Sequence, residues 1–183
     1  MARLTQENKK QIEKLILDHK FGKQFAELDM QALELGLVLY ALRYNEEKQR
    51  KMKALPDGWL PTVSHFEVRT IARGFLSFKL DKEYPIPFED YRSTITYDTR
   101  TKENDLIEDF CLEREKVSDA RRELRTKIYA VLNSVNTVKQ AVDTWPEAEK
   151  FIQEACGVKL KSQVPAVIIA DLNNQLDLPP DSP

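Results

Sequence analysis

Few side chains in this sequence are of the types that make or break bonds, and those few stand far apart. There are two histidines, His19 and His65, and two cysteines, Cys111 and Cys156. A zinc site takes four protein ligands, or three and a water. No second His or Cys lies within two to five residues of either histidine, so no metal or other cofactor is expected. His65-Phe66-Glu67 repeats the His-x-Glu triplet of the zinc nucleotide deaminases, but the Cys-x-x-Cys pair that chemistry needs does not follow. The glycines, Gly22, Gly36, Gly58, Gly74 and Gly157, are scattered, which excludes both a P-loop and a dinucleotide fingerprint. A thiol becomes a nucleophile only beside a base. Nothing in the sequence places one next to Cys111 or Cys156, and both are expected to be structural. The pattern points away from catalysis and toward binding.

Two sets of residues have the chemistry for binding. Lys48, Arg50, Lys51 and Lys53 form one basic run, and Arg121, Arg122, Arg125 and Lys127 another. On a helix Arg121 and Arg125 share a face at i and i+4, as Lys48 and Lys51 do at i and i+3. Such faces can hold a phosphate or an acidic protein surface, although Glu46, Glu47 and Glu123 dilute them and charged helix faces are usually only solvated. The second set is aromatic: Trp59, Tyr84, Phe88, Tyr91 and Tyr97, interleaved with Arg69, Arg73, Arg92 and Arg100. These could stack a base or anchor a protein partner. They could equally cover the inner face of a small sheet, which needs large side chains to bury.

The elements that position these residues follow from hydrophobic period. Thr5 is placed to cap a first helix carrying Ile12, Leu15 and Ile16, with a break at Phe21-Gly22. A second helical pattern runs from Phe25 through Leu28, Leu33, Leu37 and Tyr40 to Leu42, tolerating Gly36, and continues into the charged run Asn45 to Lys53. Pro56-Asp57-Gly58 stops it. Alternation of period two then takes over at Val63, Phe66 and Val68, and again at Leu76, Phe78 and Leu80. With Gly74 between, residues 62–80 read as a β-hairpin. Tyr84-Pro85-Ile86-Pro87-Phe88 is extended and suited only to a sheet edge, and residues 91–100 read as another short strand or an ordered loop. Thr101 caps a long helix whose stripe is Leu106, Phe110, Val117, Leu124, Ile128 and Val131. Residues 133–136 end it, a helix starts near Thr137, and another spans Pro146 to Cys156, closed by Gly157. A last short helix is expected over 169–176.

These readings give an α+β fold: mostly helical, with one long central helix and other helices packed on a small antiparallel sheet. A single domain over 1–178 is expected, helical over 1–55, β-rich over 59–98 and helical over 101–177, with a flexible tail at 179–183. Lys plus Arg number 28 against 30 for Asp plus Glu, a balance that argues against a dedicated non-specific nucleic-acid binder and against a DNA mimic. No leader pattern opens the chain, and residues 33–42 are too short an apolar run to span a bilayer. A cytoplasmic protein without membrane contact is expected.

Several segments carry a resemblance. Leu55-Pro56-Asp57-Gly58-Trp59-Leu60-Pro61, Arg121-Arg122-Glu123-Leu124-Arg125, the run Leu132-Asn133-Ser134-Val135-Asn136-Thr137 to Thr144-Trp145-Pro146-Glu147, and Pro165-Ala166-Val167 to Asp171-Leu172-Asn173 are the residues concerned. Together they resemble a family of tailed-phage and prophage proteins catalogued as a nucleotide-modification-associated domain, the fifth of a set so named. The resemblance spreads over most of the chain and implies action in the cytoplasm of an infected bacterium; it carries no catalytic residue. Three functions remain open. The first is a non-enzymatic accessory protein that binds a host or phage macromolecule, in counter-defence or nucleic-acid metabolism, through Arg121, Arg122, Arg125, Lys48, Lys51, Trp59, Arg69 and Arg73. The second is a nucleotide-binding enzyme or accessory factor in DNA base modification. The third is a homo-oligomeric structural protein, with a homodimer as its simplest form.

Overall fold

The computed structural model describes residues 2–91, 95–98 and 100–157. In chain order the elements are α1 (Gln6–Arg43), α2 (Glu46–Lys53), β1 (Thr62–Thr70), β2 (Gly74–Pro85), β3 (Ile95–Tyr97), α3 (Lys102–Asn133), α4 (Val138–Thr144), a 3₁₀ turn (Pro146–Ala148) and α5 (Glu149–Cys156). The fold is α+β and mostly helical. It packs as two compact units. Ala26–Glu115 makes one, and the chain on either side, described over 2–25 and 116–157, makes the other. Helices α1 and α3 each contribute one half to either unit. The expected helix over 169–176 and the tail at 179–183 lie outside the described residues.

The flanking unit is helical. Thr5 caps α1 as expected, its Oγ1 accepting from the Asn8 backbone N–H at 3.1 Å. The break expected at Phe21-Gly22 does not occur, and α1 runs on to Arg43. A glycine inside a helix costs about 1 kcal/mol, whereas burying a phenylalanine returns about 1.5–3 kcal/mol, and Phe21 is buried in the core of this unit. Burial wins. Ile12, Ile16 and Leu17 from α1 meet Leu124, Ile128 and Leu132 from α3, and Trp145, Phe151 and Ile152 close over them. Thr137 and Gln140 form the capping box of α4, with side chain and backbone satisfied in both directions. Gly157 ends α5 at φ 63°, the left-handed geometry that needs no Cβ.

The Ala26–Glu115 unit holds the sheet. Asn45 interrupts the helical run and caps α2, its Oδ1 accepting from Lys48 N–H at 3.0 Å. β1 and β2 pair antiparallel with Phe66 opposite Phe78 and Thr70 opposite Gly74, confirming the hairpin. β2 extends through Tyr84 to Pro85 and lies at the sheet edge, where prolines are tolerated. The sheet is not purely antiparallel. β3 lies on the other side of β1 and runs parallel to it, Val68 facing Ile95 and Thr70 facing Tyr97. Period-two alternation sets which face a strand buries but not which neighbour it joins, so the order β2-β1-β3 was not readable from it.

Two helices cover the inner sheet face. Gly36 sits where α1 crosses β2: a Cβ there would lie 2.9 Å from the Lys79 carbonyl oxygen and 3.1 Å from Phe78 Cβ. The glycine is a contact requirement, not merely a tolerated residue. On α3 the expected stripe is displaced at its start. Leu106 is 42% exposed, while Ile107 is fully buried. Phe110 packs edge-on to Phe78 at 5.9 Å, and the buried arc around it passes through Ile107 and Asn104, leaving Leu106 outside. Among the described residues no helix is long and apolar enough to cross a membrane.

Candidate functional site

The eight residues expected to bind do not converge. Arg121, Arg122 and Arg125 lie on α3 in the flanking unit, and each guanidinium already faces a carboxylate. Arg125 Nε donates to Glu13 at 2.7 Å, Arg122 to Asp119 at 2.8 Å, and Arg121 lies 3.8 Å from Asp18 and over the Phe25 ring. On α2, Lys51 pairs with Glu47 at 2.7 Å and Lys48 is exposed. Trp59 is exposed in the turn before β1. Arg73 leaves the hairpin turn and is gripped by Glu108 and Glu115 of α3. Arg69 alone stands on the outer sheet face, over Phe75. Of the interleaved aromatics, Tyr84 packs on Tyr40 with centroids 4.8 Å apart, Tyr97 is half-buried, and Phe88 and Tyr91 are exposed. Arg92 lies outside the described residues.

What the structure does assemble is a cleft of about 530 Å³ in the sheet-bearing unit. That is within the usual range for small-molecule sites, roughly 300–1,000 Å³. It exists because β3 joins β1 only over Val68–Thr70. Beyond that point β1 has no strand partner on this side among the described residues. Thr62, Ser64, His65, Phe66 and Glu67 form one wall; Tyr44, Ile86, Asp90, Tyr91 and Ile95 supply the rest. The irregular register between Val63 and His65 opens this end of the strand further.

Asp90 is the fixed polar point of the cleft. Its Oδ2 accepts from the Tyr44 hydroxyl at 2.9 Å and its Oδ1 from the Arg43 guanidinium at 3.2 Å. The carboxylate is 13% exposed. Each oxygen has one donor, leaving a lone pair on each for a ligand N–H. The Tyr44 phenol is pushed well above its ordinary pKa by burial and by the adjacent carboxylate, so it stays a donor. Tyr40, next to it, is pushed up to about 12, mainly by burial, and its hydroxyl donates to the Pro85 carbonyl at 2.7 Å. Tyr40, Tyr44, Tyr84 and Phe66 form the aromatic floor that holds this arrangement.

The Ser64 hydroxyl lies 3.0 Å from His65 Nδ1. Nucleophile activation needs the base held in turn by a third group, and no carboxylate reaches His65 among the described residues. No group of three or more His, Cys, Asp or Glu capable of holding a metal occurs there either. Both thiols are half-buried, and burial raises their pKa values. The chemistry on offer is hydrogen bonding to a fixed carboxylate beside aromatic surface. Sequence reasoning missed Tyr44, Ser64 and Asp90. The one available signal was Tyr40 and Tyr44 at i and i+4, two hydroxyl-bearing rings on one helix face.

A second, mainly apolar pocket of about 370 Å³ lies between α1 and α3 in the flanking unit, lined by Phe21, Val117 and Leu124 among others. It offers no comparable polar anchor. The family described as Nucleotide modification associated domain 5 matches residues 3–179 of the chain. No curated protein and no solved structure matches it.

Proposed function

Since the chain belongs to the Nucleotide modification associated domain 5 family, we propose that it is a phage accessory protein of nucleotide modification that acts by binding a nucleobase in the Asp90 cleft. The observation that carries this reading is the carboxylate of Asp90, held by Tyr44 and Arg43 with two acceptor positions facing a cleft of ligand size. The edge of a base that presents adjacent N–H groups, as guanine derivatives do with N1–H and N2–H, matches such an acceptor. Tyr91, His65 and Phe66 supply ring surface against which a base can lie.

The electrostatics select the part of the nucleotide that enters. Asp90 and Glu67 are the charged residues of the described lining, which favours the donor edge of a base over a phosphate. The alternative contact, an acidic protein docked on Arg121 and Arg125, competes with Asp18 and Glu13, which already neutralise that face.

Thermal-shift titration with unmodified and modified nucleosides tests the reading. A ligand bound only by the folded state stabilises by mass action, about 2.7 kcal/mol at a hundred times Kd, which is a shift of several degrees. The shift is expected with nucleosides that carry donor edges, to be smaller with the corresponding triphosphates, and to vanish in Asp90→Asn. A screen in which no nucleoside moves the melting temperature would dispose of the proposal.

A further inference from the structure

The outer face of the sheet runs directly into the Asp90 cleft, and we infer that it carries single-stranded nucleic acid, delivering one base to that cleft. The inference rests on the base-binding reading of the cleft. Successive outward positions on β1 are His65, Glu67 and Arg69, opposed on β2 by Lys79, Ser77 and Phe75. All six are exposed. His65 and Glu67 also line the cleft, so cleft and face form one continuous surface.

Two features of this face single out its occupant. Phe75, at the hairpin end of the face, is 69% exposed, and the Arg69 guanidinium lies 5.2 Å from its ring centroid. An exposed ring beside a cation is the pairing on which an unstacked base and its phosphate settle. Second, Arg69 and Lys79 stand on this face without an ion pair among the described residues, so a phosphate need not displace a carboxylate to reach them. Asp90 and Glu67 give the described cleft lining its acidic character, and Arg69 and Lys79 lie on the adjoining face of β1 and β2.

Spacing agrees with this division. Outward residues on a strand recur about every 6.8 Å, comparable to one extended sugar–phosphate unit. Glu67 and Phe75 lie diagonally across the β1–β2 pair, Phe75 opposite Arg69 and Glu67 opposite Ser77, so a short stretch of single strand reaches from one to the other. A duplex cannot use Phe75, because its bases are already stacked.

Fluorescence anisotropy with labelled twelve-residue single-stranded DNA, the same sequence as RNA, and the corresponding duplex tests the inference on the full chain. Single strands are expected to bind more tightly than duplex, and the DNA and RNA arms identify which is the natural strand. Phe75→Ala should weaken binding about five-fold or more, the loss of one base stack. Phe75→Trp should restore it, and Arg69→Ala should reduce the salt slope by about one. Both side chains are exposed, so unchanged melting temperatures will show that the variants fold. If nucleosides stabilise the protein but single strands bind no better than nucleosides, or if Phe75→Ala leaves affinity unchanged, the inference fails while the cleft reading stands. If neither binds, both fall.

Discussion

The two units treat polar groups in opposite ways. In the flanking helical unit the α3 arginines Arg121, Arg122 and Arg125 are paired, the capping box of α4 is complete, and one buried side-chain atom, Glu147 Oε2, lacks a partner. In Ala26–Glu115 three such atoms lack partners, Tyr97 OH, Asn104 Oδ1 and Glu108 Oε1, and β3 pairs with β1 only over Val68–Thr70. These counts refer to the described residues. Unsatisfied buried groups cost free energy, so a unit that retains them is not optimised for stability alone. The contrast teaches where to look: the closed unit holds the fold, and the open one has hydrogen bonds still to make.

Mutations that separate the two roles test this contrast. Trp145→Ala, at a fully buried position of the closed unit, should cost about 3–5 kcal/mol in urea unfolding, with nucleoside affinity of the folded fraction unchanged. Gly36→Ala should lose a net 1–3 kcal/mol or so from overpacking, despite roughly 1 kcal/mol gained in helix propensity. Because the crowded atom is the Lys79 carbonyl, single-strand affinity should fall with it. Arg73→Gln leaves Glu108 without its cation and should lower the melting temperature, with no effect on oligonucleotide binding. The sharpest break in the comparison would be the reverse outcome, binding lost and stability kept.

Smaller effects follow. Arg121→Glu and Arg125→Glu remove exposed ion pairs and should each change stability by no more than about 1 kcal/mol in urea titrations. If either abolishes binding of nucleosides or single strands, the division of labour drawn here is wrong. The tyrosines with raised pKa values belong to the sheet-bearing unit. Tyr40 and Tyr97 are both pushed up to about 12. A phenol that keeps its proton more firmly when folded contributes stability that is fully present below pH 10, the ordinary tyrosine value, and is lost as pH rises toward 12. Melting temperature should therefore be flat in this respect up to about pH 10 and then decline. Tyr40→Phe should start lower but decline less.

Local chemistry made much of the fold legible. Thr5, Thr101 and Thr137 announced three helix starts, and Gly157 one helix end, because caps are satisfied within a few residues. The hairpin was legible because alternation and Gly74 agree. What failed were decisions made by distant parts of the chain. Phe21 stays helical because of the core it enters, Ile107 displaces Leu106 because of Phe78, and β3 lies parallel because of where the chain crosses β1. The site failed for the same reason. Asp90 and Tyr44 are 46 positions apart, and neither shows a motif alone. Arg69 was identified by its aromatic surroundings, but the same criterion admitted Arg73, whose partners on α3 no local reading could supply.

The division of the chain also sets an order of events during synthesis. Ala26–Glu115 is contiguous, whereas the other unit needs Leu4, whose N–H donates to the Asn136 carbonyl at 2.9 Å. At roughly 5–20 residues per second, the ribosome spends several seconds making the inner segment before the first residue of the second half exists. The sheet-bearing unit is thus free to close while residues 2–25, with the apolar face of Ile12, Ile16 and Phe21, still wait for their partners. That waiting face is where a chaperone, or a misassembly, would find this nascent chain.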